Sequence, residues 1–279
     1  GSPDAPRQGT LMESAVTAVF EILNFGAIII LVVLGLGVIA GMMGIFNFAH
    51  GEFVLLGAYW VYLFGIWGLP IWIGMLTAPV AVAAVALVLE RIMIRRFYAA
   101  PVVAMLATYA LGLVIRETVR SLTGGLYLAV PEPIAGSLTF GGVHLSSWRL
   151  AIVVITVLVM VGSYLLLTWT SFGLRVRATL ENPSLARVSG ISTHRIYALT
   201  FAFGAALAGL AGALVVPVFS LSADLGIRFL IQGFLAVMLG GVGTFQGSVV
   251  GGGVIGVLSA ALPWAVAPVL AQRLSPDRG

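Results

Sequence analysis

The chain has 279 residues, of which 60% are hydrophobic and 9% charged, with a mean hydropathy of +1.12 and a net charge of +4. Ordinary soluble domains carry about 25% charged residues, so a water-soluble fold is excluded, and long unbroken apolar runs select helices over the alternating pattern of a β-barrel. All fourteen basic residues are arginine and there is no cysteine, which excludes a lysine-dependent P-loop ATPase site, disulfides and thiolate metal sites.

At roughly 20 residues per span the chain has room for about eight helices, an all-α polytopic transmembrane bundle over residues 15–267. Residues 1–14 read as a polar N-terminal segment, a lead-in or a non-native remnant, and no cleavable signal peptide is expected ahead of the first span. That span is expected from about Ile22 to Ile45, and a polar interruption, Asn47-Phe48-Ala49-His50-Gly51-Glu52, separates it from a second at about Phe53 to Ile66. Gly68-Leu69-Pro70 forms a turn. The third span, Ile71 to Leu89, stops at Glu90-Arg91, and Pro101 restarts the chain for a fourth that ends near Val119. Residues 121–148 form the longest loop, rich in Gly, Pro and Ser, before a fifth span at about Leu150 to Thr168.

Ser171 to Arg195 is the most polar inner segment, where Asn182 or Ser184 could cap a short helix through Leu185, Ala186 and Val188, with Gly190 ending it. The sixth span, Ile196 to Val216, is dense in small residues that let helix backbones approach closely. The seventh, Phe229 to Leu239, is broken at Gly240–Gly247, and the eighth runs to about Leu262 before a polar tail at 268–279. A G-x-x-G-x-F pattern recurs at Gly41–Phe46 and Gly240–Phe245, a faint echo of the repeated halves found in transporters. With eight spans, the loops carrying Arg91, Arg95 and Arg96 and carrying Arg175, Arg177, Arg187 and Arg195 share one side, which seven of the fourteen arginines mark as cytoplasmic.

Ionisable groups beside apolar spans cost at least a few kcal/mol unless they are paired or face an aqueous cavity. Asn47, His50 and Glu52 therefore read either as a helix break lining a pathway or as a satisfied polar turn. Arg116, Glu117 and Arg120 read either as pathway residues or as an internal ion pair near the outer interface, with Arg116 and Arg120 on one face.

The run Gly44-Ile45-Phe46-Asn47-Phe48-Ala49-His50-Gly51-Glu52-Phe53, with Gly57-Ala58-Tyr59 behind it, resembles the signature of branched-chain amino acid ABC transporter permeases. Arg177-Ala178, Glu181-Asn182-Pro183, Leu185-Ala186 and Gly190-Ile191 resemble the cytoplasmic loop of that family, and Phe201–Gly209 and Leu239–Gly253 also fit. The Asn-Phe-Ala-His-Gly-Glu string is similar to the shorter of the family's two paired permease types. The resemblance implies a subunit of a bacterial inner-membrane importer for branched-chain or related hydrophobic amino acids. It implies a second permease, two ATPase subunits that bind the ATP, and a periplasmic binding protein as partners, and no cofactor or catalytic site of the chain's own. On that reading the pathway is expected at Asn47, His50, Glu52, Thr108, Arg116 and Glu117, and ATPase coupling at Arg177, Glu181, Asn182, Leu185, Ala186, Gly190 and Ile191. Relatives that carry urea or short amides often show a Met-type residue where Phe48 stands, which favours an amino acid.

A branched aliphatic substrate needs apolar contact and polar partners for its ammonium and carboxylate; the sequence offers both without showing that they converge. Rival classes find little support. The only Asn-Pro, Asn182-Pro183, lies in a basic loop rather than in a channel motif, and no selectivity-filter string repeats. His50, His144 and His194 lie far apart with no metalloprotease or serine-hydrolase motif, and an ion-coupled carrier would need no ATPase.

Overall fold

The computed structural model describes residues 8–43, 46–98, 100–140, 143–241 and 244–274. The elements, in order, are α1 (Gln8–Met43), α2 (His50–Ile66), α3 (Ile71–Ile92), a 3-10 turn (Ile94–Phe97), α4 (Pro101–Thr123), a β1–β2 hairpin (Ser137–Phe140 and Val143–Ser146), α5 (Ser147–Trp169), α6 (Ser171–Glu181), α7 (Pro183–Val188), α8 (Thr193–Phe219), α9 (Leu225–Gly240) and α10 (Phe245–Leu274). Among the described residues six helices (α1, α3, α4, α5, α8 and α10) are long and apolar enough to cross a membrane. The other two expected spans are α2, with 17 residues, and α9, with 16.

Local chemistry sets most boundaries. Gly68 (φ 68°) turns the chain between α2 and α3. Pro101 opens α4, where its missing N–H is not needed, and Gly124 closes it in the left-handed conformation. Ser146 Oγ accepts the Arg149 N–H at 3.3 Å to cap α5. Several ends differ from the sequence expectation. α1 starts at Gln8, α10 reaches Leu274, and the segment expected as one long loop holds the β1–β2 hairpin, whose antiparallel register pairs Ser137 with Ser146 and Phe140 with Val143. The repeated G-x-x-G-x-F segments fall partly on residues 44–45 and 242–243, which lie outside the described residues.

α1 and α8 form the centre of the bundle. Their apolar windows are 78% buried, against 22–28% for α3, α4, α5 and α10, as expected of helices apolar on every side. The small residues of α8 explain how so many neighbours reach it. A Cβ on Gly212 would overlap the Val54 carbonyl of α2, and one on Gly209 would sit 2.8 Å from Val82 of α3. A Cβ on Gly204 would lie 2.8 Å from the Gly35 carbonyl of α1. Trp148 of α5 donates its indole N–H to the Leu214 carbonyl at 3.2 Å. The peripheral helices turn Leu76, Val80, Leu106, Val114, Leu158, Val161, Val254 and Leu258 outward, the apolar coat that lipid or a partner helix would cover.

Both arginine-bearing connections lie at one end of the bundle. Tyr98, after the 3-10 turn, packs its ring 5.1 Å from that of Tyr197 and 6.5 Å from that of His194, at the start of α8. Burial, and then a hydrogen bond to the Glu90 carboxylate, push the Tyr98 hydroxyl above its usual pKa. At the opposite end Leu128 and Leu221 exchange backbone hydrogen bonds of 2.9 and 2.8 Å, and Arg149 binds Glu21 at 2.7 Å. The two arginine-bearing connections therefore share one side, as the sequence reading expects.

Candidate functional site

α2 begins inside the bundle instead of at its surface. His50 donates from Nε2 to the Val32 carbonyl of α1 at 3.1 Å. Gly112, midway along α4, faces the same turn, for a Cβ there would lie 3.4 Å from Glu52 Cγ and 3.6 Å from Ala49 Cα. A second close approach brings α9 in, where a Cβ on Gly226 would overlap the Gly51 carbonyl and sit 3.2 Å from Glu52 Oε2. The break over Asn47–Glu52 is thus enclosed by α1, α4 and α9, and no side chain at Gly112 or Gly226 fills the space around the carboxylate.

Asn47, His50, Glu52 and Thr108 are all buried. Asn47 Oδ1 accepts the Ala49 N–H at 3.0 Å, and Thr108 Oγ1 accepts the Phe48 N–H at 3.2 Å while donating to the Met105 carbonyl at 2.9 Å. Glu52 Oε1 receives two N–H groups of Arg116, from Nε at 3.1 Å and from Nη2. What remains is unusual for a buried segment. Asn47 Nδ2, His50 Nδ1 and Glu52 Oε2 have no hydrogen-bond partner among the described residues, although buried polar atoms are ordinarily paired.

Thr108, Gly112, Arg116 and Arg120 recur every four residues and so share one stripe of α4. Arg120 binds Asp224, the residue that opens α9, at 2.8 Å and Glu117 at 3.2 Å. Arg116 and Arg120 do share a face, as their spacing implies, but they pair with different partners, and Glu117 is mostly exposed at the margin. Asp224 and Gly226 had no signal in the sequence, because their role depends on α9 reaching α2 and α4.

Beside Arg116 a cleft of about 360 Å³ opens between α4 and α9. Its walls are apolar, formed by Phe48, Tyr109, Ile227, Leu230, Ile231, Phe234 and Leu235, with Gly112 at its base. Phe48 and Phe234 face one another with ring centroids 5.0 Å apart.

The basic end carries a different surface. Asn182 Oδ1 accepts the Leu185 N–H at 2.9 Å and Pro183 follows as the first helical residue, so Asn182 rather than Ser184 caps α7. Ile191 returns a hydrogen bond of 2.9 Å to the Ala186 carbonyl, across Gly190 at φ 81°. α6, which the sequence did not reveal as a helix, rests on the end of α5. A Cβ on Gly173 would overlap the Leu167 carbonyl, and Arg177 donates to the Leu167 and Thr168 carbonyls. Ala186 is buried, whereas Glu181, Asn182, Leu185 and Val188 are exposed, Val188 by 86%. These two exposed apolar side chains, with the exposed Arg187 between them in sequence, form a knob that the bundle itself does not cover.

Residues 18–275 match the family of branched-chain amino acid transport system permease components. The chain belongs to that family. It is 28% identical over 255 residues to the high-affinity branched-chain amino acid transport system permease protein BraD of Pseudomonas aeruginosa, covering 85% of this chain and 83% of that one. It is 26% identical over 258 residues to the high-affinity branched-chain amino acid transport system permease protein LivH of Escherichia coli, covering 86% and 83%. It is 28% identical over 249 residues to the probable branched-chain amino acid transport permease protein LivH of Methanocaldococcus jannaschii, covering 84% and 76%. No solved structure matches the chain. As a member of this family the chain is a multi-pass membrane transport component rather than an enzyme.

Proposed function

We propose that the chain is the membrane-spanning permease subunit of an ABC importer for branched-chain or related hydrophobic amino acids, seated in the bacterial inner membrane. The family match over nearly the whole chain carries this reading, and the relatives, named as branched-chain amino acid transport permeases, support the substrate class. The knob at Asn182–Ile191 is the ATPase contact in this reading, since a capped helix with exposed Leu185 and Val188 presents a small rigid surface to a partner groove. The concentration of arginine at that end makes it the cytoplasmic one. Asn47, His50, Glu52, Thr108 and Arg116 form the pathway lining, and Glu117 stands at its outer margin. Separate ATPase subunits bind ATP, a second permease completes the pathway, and a periplasmic binding protein delivers the amino acid.

The test is co-purification with the second permease and the ATPases, followed by ATP hydrolysis in lipid with and without the cognate binding protein loaded with leucine. Hydrolysis stimulated by the loaded binding protein, and lost when Asn182–Ile191 is disrupted, is the expected result. Solute flux by this chain alone, with no ATPase associated, would overturn it in favour of a channel or an ion-coupled carrier.

A further inference from the structure

Two cavities on the exposed side of the bundle join end to end. The first, about 340 Å³, lies between α1, α5, α6 and α10 at the arginine-rich end, where Tyr164, Thr168, Arg177, Thr244 and Gln246 supply its polar lining. The second, about 390 Å³, has apolar walls that include Met160, Val161, Val249 and Val250. Tyr164, Phe245 and Gln246 border both, so one groove follows the seam between α5 and α10. Its polar part lies at the level of the membrane interface, for Trp169, next to Thr168, is 79% exposed, as an aromatic anchor at headgroup depth is. Its apolar part lies about two turns deeper, where Val161 and Val250 are exposed.

The cation in the polar part has no counter-charge. Arg177 donates to the Leu167 and Thr168 carbonyls at the end of α5, and among the described residues no carboxylate pairs with it. Those two bonds leave three of the five guanidinium N–H donors for a ligand. α10 begins at the same cavity, with the Thr244 hydroxyl accepting the Gly247 N–H at 3.1 Å, so the positive end of a helix dipole adds to the field of Arg177.

A ligand that completes this groove has an anionic head and an apolar tail. We propose that the groove is a site for one anionic phospholipid of the cytoplasmic leaflet, its phosphate at Arg177 and Gln246 and an acyl chain along Val161, Val249 and Val250. Basic pockets between membrane helices on the cytoplasmic side suit such headgroups. A free phosphate would leave the apolar half of the groove unfilled, and a zwitterionic lipid would bring a second cation to a site that is already positive. A helix of a partner subunit would have to bring its own carboxylate to this depth, because covering Arg177 without one would leave a desolvated charge unpaired. The lipid ties α6 to α10, away from the Asn47–Glu52 break, and its binding does not depend on which solute the chain carries.

The test uses the full chain with the subunits that co-purify with it, in proteoliposomes. The chain has no cysteine, so Val254→Cys, one turn beyond Val250 on the same face and 41% exposed, places a fluorophore beside the apolar half of the groove. Phosphatidylglycerol or phosphatidylcholine with brominated acyl chains, compared at equal mole fraction, quenches it on contact. Brominated phosphatidylglycerol is expected to quench as though enriched about ten-fold or more over its bulk fraction, since hydrogen bonds to charged groups are the stronger ones. Arg177→Gln removes the cation and is expected to bring the two lipids level. Gln246→Glu is expected to do the same by repelling the phosphate, with the fold intact, because the position is exposed and an acidic side chain is favourable in the first turn of α10. Equal quenching by the two lipids in the parent, or a preference that survives either variant, overturns the proposal. Quenching by neither lipid overturns it in favour of a partner helix in the groove. Loss of the preference in millimolar inorganic phosphate at constant ionic strength overturns it in favour of a free anion at Arg177.

Discussion

Replacing Arg116 by glutamine would leave the Glu52 carboxylate fully buried and without its cation. Removing one partner of a buried pair costs about 3–5 kcal/mol, because the remaining charge stays desolvated. The Arg116 side chain is 12% exposed, so some water reaches the vacated space and the lower part of that range, about 3 kcal/mol, is expected. At roughly 2–4 °C per kcal/mol for a chain of this size, the apparent Tm falls by about 6–12 °C. Glu52→Gln made in the same chain removes the orphaned charge and lets two amides bond each other, so the double variant should lie within about 1 kcal/mol of the parent. The order is therefore parent, then double variant, then Arg116→Gln, with a coupling of at least about 2 kcal/mol between the two sites. Thermal unfolding in detergent, followed by the surviving monodisperse peak on size-exclusion chromatography, measures it. A single variant within 2 °C of the parent, or a double variant less stable than the single one, refutes the buried-pair reasoning.

Gly212→Val places side-chain carbon on the Val54 carbonyl and should cost about 1–3 kcal/mol or more by overpacking, seen as loss of the monodisperse peak. Asn182→Ala removes the cap of α7 and about 1 kcal/mol of helix stability; ATPase activity stimulated by the loaded binding protein should fall, and Asn182→Asp should retain it. Leu185→Glu with Val188→Glu should leave Tm within about 0.5 kcal/mol of the parent, since both side chains are exposed, yet abolish co-purification of the ATPases. Trp148→Phe leaves the Leu214 carbonyl without its indole donor and should lower stability by about 1 kcal/mol, read by the same thermal assay.

What the sequence displayed, it displayed through local chemistry. Asn47, His50 and Glu52 stood out because polar residues interrupt an apolar run, and α7 because Asn182 or Ser184 could cap a short helix that Gly190 ends. The turn at Gly68 and the start of α4 at Pro101 were equally local. α6 escaped notice because its arginines and polar flanks read as loop; it is helical through the Thr170 cap and the seat Gly173 finds on α5. The hairpin at 137–146 was hidden in a Gly- and Pro-rich stretch whose pairing is set by register rather than by hydrophobicity. Arg116 and Arg120 were visible as one face of a helix, but their partners lie 64 and 104 residues away. No periodicity reports a contact at that separation, which is why the convergence of charge and apolar surface at the cleft emerged only from the fold.

The stripe on α4 also determines how that helix can move. Among the described elements α4 packs chiefly on α2 and on the 3-10 turn that precedes it, and it is fastened to the turn before α2, to α2 and to the start of α9 by polar clasps at Thr108, Arg116 and Arg120. Interlocked glycine backbones such as Gly35 against Gly204 leave α1 and α8 no room to slide. Clasps of hydrogen bonds and charge can be undone and replaced by water or by a passing solute without tearing open an apolar core. α4 is therefore the detachable wall of the bundle, and any widening of the cleft must unbutton these three residues while the central pair of helices stays still.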